Sequence, residues 1–492
     1  FASKSGPKDT VSGSEMTPSE PLIERRFSPT FIACGFFTLF IVFAVLSARC
    51  LYADGSYYFL EVLKAGNFTG MITSRSYAAY LFQFPVVIAL ALGINSIPCL
   101  TFLFGIGCFC AWPLAMFVCY RMAPGHFWLV MLACAAGYLN AAFMAVGEHI
   151  VAHAFFWPVV FAILFVRPLT PFAAVSLLGS SIMLIRSYES MLFLGPILIG
   201  LLAWRMVSDR EQPWRKAVMG AAMVFIALAI YIAWLGIKYP NAENPYGLES
   251  FKQGFFREIE YPAWTVKLSL LWAGLMIVAM VPAIAAGLKR PAGITFSILV
   301  VLIWGLYPIF EPQNLHPTEQ YACRFLDLLV PLALTPVAVL LIFRPQWLAT
   351  KIPDLVRLSA VMLVAQSLWQ LSATYQWNRH ISSWKSMLAS GSGPLHPFGD
   401  TGFNAPALSW ANPCVSLMIG PTRVRSIIMP AHAIPWQPFD PLKPQTFPDL
   451  KRYGFTYTDY IAGLKRKEAG NGTIAQAEDQ SRGHHPVPPI VR

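Results

Sequence analysis

Long apolar runs confine this chain to one kind of architecture. They include Phe31–Leu46, Ile97–Tyr120, Phe127–Val146, Ile150–Val166, Pro171–Ile185, Met191–Val207 and Ala217–Ile237. Four more follow at Val266–Leu288, Ile294–Phe310, Phe325–Phe343 and Leu358–Leu371. A bilayer core takes about 20 apolar residues of helix, and in lipid only helices and closed barrels satisfy their own backbone. The runs are continuous rather than alternating, so the fold class is an all-α polytopic membrane protein of about 11 transmembrane helices. Only 12% of residues are charged, against about 25% in soluble domains.

The net charge of +11 does not point to nucleic acid. Basic residues fall in short loops between the runs, where they set topology. Arg25-Arg26 precedes the first run and places the N-terminus inside and Asp54 outside. The basic loops Arg205–Lys216, Lys289-Arg290 and Arg344–Arg357 belong inside. An odd number of spans must then separate Asp54 from Arg205. Five firm runs supply it, which leaves Ala78–Ile94, with Gln83 and Pro85, as an interfacial or re-entrant element of the first outer loop, residues 51–96.

Residues 1–28 are expected to be a disordered cytoplasmic segment without a signal-peptide cleavage site. The transmembrane part is assigned to 29–372, a small extracytoplasmic C-terminal domain to 373–464, and a disordered tail to 465–492. Of nine cysteines, seven lie in or beside apolar runs and none shows a CxxC or Cys/His metal spacing. They read as small buried hydrophobes.

The polar residues carry the functional reading. Asp54 lies in Ser47–Glu61, just beyond the first run, among Arg49, Tyr52, Tyr57 and Tyr58. An acid there is costly unless it faces water, a cation or a polar ligand. Glu61, seven residues on, either supports Asp54 or is solvated. Arg75 joins the same outer group.

His149 and His153 share a helix face beside Glu148. Their spacing does not match HExxH, so polar residues at a helix start is the favoured reading over a metal pair, with Glu148 as a second acid. Arg186 and Glu189 are expected to pair with each other at helical spacing. Arg324, in a late outer loop with His316, either pairs with Asp327 or binds an anionic head group through its planar fork.

This layout resembles the GT-C superfamily of integral-membrane glycosyltransferases. The residues that carry the resemblance are Asp54 in Tyr-Ala-Asp-Gly-Ser, Glu148 in Val-Gly-Glu-His and Arg324 in Tyr-Ala-Cys-Arg-Phe. The resemblance implies a polyprenyl-phosphate or polyprenyl-diphosphate sugar donor and a glycan, lipid or protein acceptor. It implies a site on the extracytoplasmic side of a bacterial inner membrane. Asp54 would be the general base. Glu148 would orient the acceptor or share a divalent cation (Mg or Mn) with Asp54. Arg324 and His316 would hold the donor phosphate, with the prenyl tail near Ala78–Ile94.

The sequence departs from the family's paired acids, because Gly55 follows Asp54. Three rivals stand beside this reading: a transporter or lipid flippase, a non-catalytic subunit that docks a partner through its outer tail, and a membrane acyltransferase.

Overall fold

The computed structural model describes residues 29–70, 72–139, 146–208, 212–239, 320–343, 346, 352–390, 393–401, 410–431 and 439–471, with side chains of 320–327 and 470–471 left aside. The chain is helical over most of these residues. Helix α1 (Pro29–Leu46) ends in a tight turn and a 3-10 segment, Arg49–Leu51, before the short helix α2 (Asp54–Ala65). Helices α3 (Ser76–Ala91) and α4 (Ile97–Phe109) pack on each other as an antiparallel pair.

The expected span Ile97–Tyr120 is two helices. Helix α5 (Ala111–Met122) breaks from α4 at Cys110 with a bend of 45°. Pro113 lies in the first turn of α5, where its missing N–H is harmless but where it cannot continue a helix from upstream. Likewise Phe127–Val146 begins as the short α6 (Trp128–Ala133) and widens into a π turn at Cys134–Tyr138.

Helix α7 (Glu148–Leu164) is the centre of the bundle: all 17 of its residues are buried. It packs against α5, α8 (Pro171–Leu184), α9 (Met191–Ser208) and α11 (Gln320–Phe343). Helices α9 and α10 (Pro213–Lys238) lie side by side. A helix apolar all round is a core helix or a membrane span; α7 is wholly buried inside the protein, with its ionisable residues gathered at one end.

Helix α12 (Ile352–Ser390) packs along α1 and runs unbroken through the 372/373 boundary drawn from the sequence. Beyond it come a two-residue parallel pair, β1 (Leu395–His396) with β2 (Ile427–Ile428), and the helices α13 (Asn412–Ile419) and α14 (Thr458–Asn471). Helix α14 continues past residue 465, anchored by buried Tyr460 and Leu464.

Among the described residues, four helices are long and apolar enough to cross a membrane: α1, α9, α10 and α12. The bent α4–α5 pair makes a fifth. Helices α7, α8 and the described part of α11 are apolar but shorter. The expected spans Val266–Leu288 and Ile294–Phe310 lie outside the described residues.

Candidate functional site

The site forms where the N-terminus of α7 meets α2 and the loop before α3. Glu148 occupies the first position of α7, where the free N–H groups of a helix start favour negative charge. Its side chain is 6% exposed, so each oxygen needs a partner. Tyr58 donates its hydroxyl to Glu148 Oε1 at 2.5 Å. Arg75 Nη1 stands 3.7 Å from Glu148 Oε2.

Arg75 is shared with a second acid. Its Nε donates to Glu189 at 2.9 and 3.1 Å, and its guanidinium carbon lies 4.8 Å from the centre of the Tyr188 ring. The His149 ring lies 5.6 Å from Tyr188 on the other side, and His153 follows at 6.3 Å.

Burial works against the Arg75 charge, but Glu189 and Glu148 outweigh it and hold its pKa well above the ordinary value. Burial, the Glu148 charge and hydrogen bond, and Asp54 together raise the Tyr58 pKa, so the phenol stays a donor. Two carboxylates thus share one guanidinium. Such a centre can hold a polar, hydroxyl-bearing ligand.

Asp54 is half-buried at the first position of α2, one helical turn before Tyr58 and on the same face. Tyr58 bonds to Glu148 and also lies within the electrostatic reach of Asp54. The turn leading to Asp54 is strained. Ala48 and Ala53 both have φ of 50°, and Ala53 combines it with ψ of −124°. Alanine pays roughly 1–2 kcal/mol for a left-handed backbone, and such outliers gather at functional sites.

Gly55 is fixed by the same turn: a Cβ there would sit 1.8 Å from the Cys50 carbonyl oxygen. A second acid after Asp54 cannot be built on this backbone, which gives the departure from paired acids a physical reason.

The other sequence candidates separate. Glu61 pairs with Lys64 at 2.6 Å, one turn along α2. Arg186 does not take Glu189. The residues between them form a turn, not a helix, and Glu189 goes to Arg75 instead, while the Arg186 carbonyl accepts the backbone N–H of Tyr77 and Ala78 at the start of α3. Gln83 clasps Thr69, accepting its N–H at 2.8 Å and donating to its carbonyl at 2.9 Å.

Arg324 lies in the second turn of α11, and His316 lies outside the described residues. No group of three or more His, Cys, Asp or Glu side chains able to hold a metal ion occurs among the described residues. The two Glu148 oxygens face Tyr58 and Arg75.

Fold and site together define a mostly helical protein with apolar helices of membrane-spanning length and, among the described residues, a cluster of ionisable groups at the N-terminal end of a fully buried helix. No protein-family model, no curated protein and no solved structure matches this chain.

Proposed function

We propose that this chain is a membrane glycosyltransferase of the GT-C kind, moving a sugar from a polyprenyl-phosphate or polyprenyl-diphosphate carrier to an extracytoplasmic acceptor. The observation that carries this reading is Asp54: a half-buried carboxylate on a strained turn just beyond α1, with Glu148 across Tyr58. In this reading about eleven spans cross a bacterial inner membrane and the Asp54 end faces outward. Residues after α12 form the outer C-terminal part.

The reaction is a displacement at the anomeric carbon. The acceptor hydroxyl oxygen forms the new bond to that carbon as the bond to the carrier phosphate breaks, and the electron pair leaves on the phosphate oxygen. Asp54 takes the hydroxyl proton, which requires hydrogen-bond reach. Glu148, held by Tyr58 and Arg75, gives the acceptor a fixed polar wall. Arg324 and His316 are assigned to the carrier phosphate, where a planar fork suits two phosphate oxygens.

The test is transfer of a labelled sugar from polyprenyl-phosphate donors by the purified protein in nanodiscs. Asp54→Asn should lower turnover about 100-fold or more, the scale of a lost base. Full turnover in a folded Asp54→Asn protein would refute the assignment. Solute uptake by proteoliposomes with no covalent product would shift the reading to transport.

A further inference from the structure

We infer that Trp377 is a positioning residue for Asp54: the outer half of α12 clasps the turn between α1 and α2 and imposes the strained shape that sets where the Asp54 carboxylate stands. This rests on the reading of Asp54 as the base.

Helix α12 has 39 residues. At 1.5 Å per residue it is roughly 58 Å long, nearly twice the hydrocarbon thickness of a bilayer. Its far half therefore has another task than crossing lipid. Gln370, Thr374 and Trp377 follow at the spacing of a single helix face, and each meets the turn. Arg49 donates to Gln370 Oε1 at 2.5 Å and to Thr374 Oγ1 at 2.6 Å. Gln370 in turn donates to the Leu139 carbonyl, tying the clasp to the end of the π turn. Trp377 Nε1 donates to the Ser47 carbonyl at 3.1 Å, and its ring meets Tyr52 edge-on at 5.6 Å.

Those two contacts fall on the residues just before the strained alanines. Ser47 precedes Ala48, and Tyr52 precedes Ala53. An alanine side chain offers nothing that favours a left-handed backbone, so the shape is imposed from outside. Tyr52 and Ala53 belong to a separate apolar core with Trp377, Trp384, Val415 and Ile428. Trp384 is held in place by donating to the Thr401 carbonyl at 3.2 Å. The residues leading into Asp54 are thus gripped by α12 and the C-terminal segments, not by α1 alone.

A base acts only within hydrogen-bond reach, and a displacement of about 1 Å costs on the order of 100-fold in rate. The test uses the full chain in nanodiscs, with hydrogen exchange of the amides of residues 48–56 read beside steady-state kinetics. Trp377→Leu should speed exchange in that segment alone. It should lower kcat by about tenfold or more while KM changes by less than about threefold. Trp377→Phe, which keeps the ring and loses the N–H, should fall between it and the parent. Tyr52→Leu removes the same ring contact from the other side and should act in the same direction if Trp377→Leu does not fold.

Unchanged exchange in Trp377→Leu or Tyr52→Leu overturns the clasp. Faster exchange with unchanged kcat, or a rise in KM alone, overturns the positioning role. A parent inert on every donor refutes the glycosyl-transfer reading instead, and the exchange measurement then decides the clasp alone.

Discussion

The two ends of α7 solve the same problem in opposite ways. At its C-terminal end, Arg205 is fully buried and donates to the carbonyls of Ala162, Ile163 and Val166 at 2.5, 2.8 and 2.7 Å. A helix C-terminus leaves its last carbonyls without partners, and a cation there satisfies them and opposes the helix dipole. At the N-terminal end, Arg75 faces two carboxylates, and Tyr58 and Asp54 follow. One end is a cation set on backbone carbonyls; at the other, two carboxylates share one guanidinium. The two clusters lie about 25 Å apart along a 17-residue helix.

Substitutions at each end should separate these roles. The largest stability effect belongs to Arg205→Leu. It strips charge-assisted bonds from three buried carbonyls and should cost about 3 kcal/mol or more, read as a lower melting temperature. Specific turnover of the folded fraction should stay near the parent's.

Arg75→Met should come next, because it leaves Glu148 and Glu189 buried without their cation. A loss of about 3 kcal/mol is expected, together with loss of turnover. Glu148→Gln keeps an oxygen for the Tyr58 hydroxyl and should cost only about 1 kcal/mol, while turnover drops well beyond what stability explains. The smallest effect is Glu61→Gln. It breaks a surface ion pair and should change stability by about 0.5 kcal/mol or less, with turnover unchanged. A large loss of turnover in Glu61→Gln would place it in the site after all.

Much of this contrast was legible in the sequence, though not its wiring. Asp54 and Glu148 stood out because each acid sits at the edge of an apolar run, and Tyr58 lies four residues from Asp54, a spacing that signals a shared helix face. The Arg75–Glu189 bond carried no local signal. Its partners are 114 residues apart, and the closer Arg186 looked equally suitable. Helical spacing misled there because the segment is a turn.

Arg205 read as an ordinary basic anchor of an inner loop. Its place within Leu201-Leu-Ala-Trp-Arg-Met-Val, rather than after the run, was the available hint of burial. The bend at Cys110 was marked by Pro113. The length of α12 was hidden because its polar second half, from Ser372, breaks the hydropathy while Trp377, Ile381, Trp384 and Leu388 keep one face buried.

The most direct measurement is sugar transfer and melting temperature, taken side by side for Asp54→Asn and Arg205→Leu in the full chain. The account predicts that Asp54→Asn melts like the parent and transfers about 100-fold more slowly or worse. Arg205→Leu should melt lower and transfer normally once folded. Parent-like transfer by Asp54→Asn, or a rate lost only in proportion to stability at both ends, would contradict it.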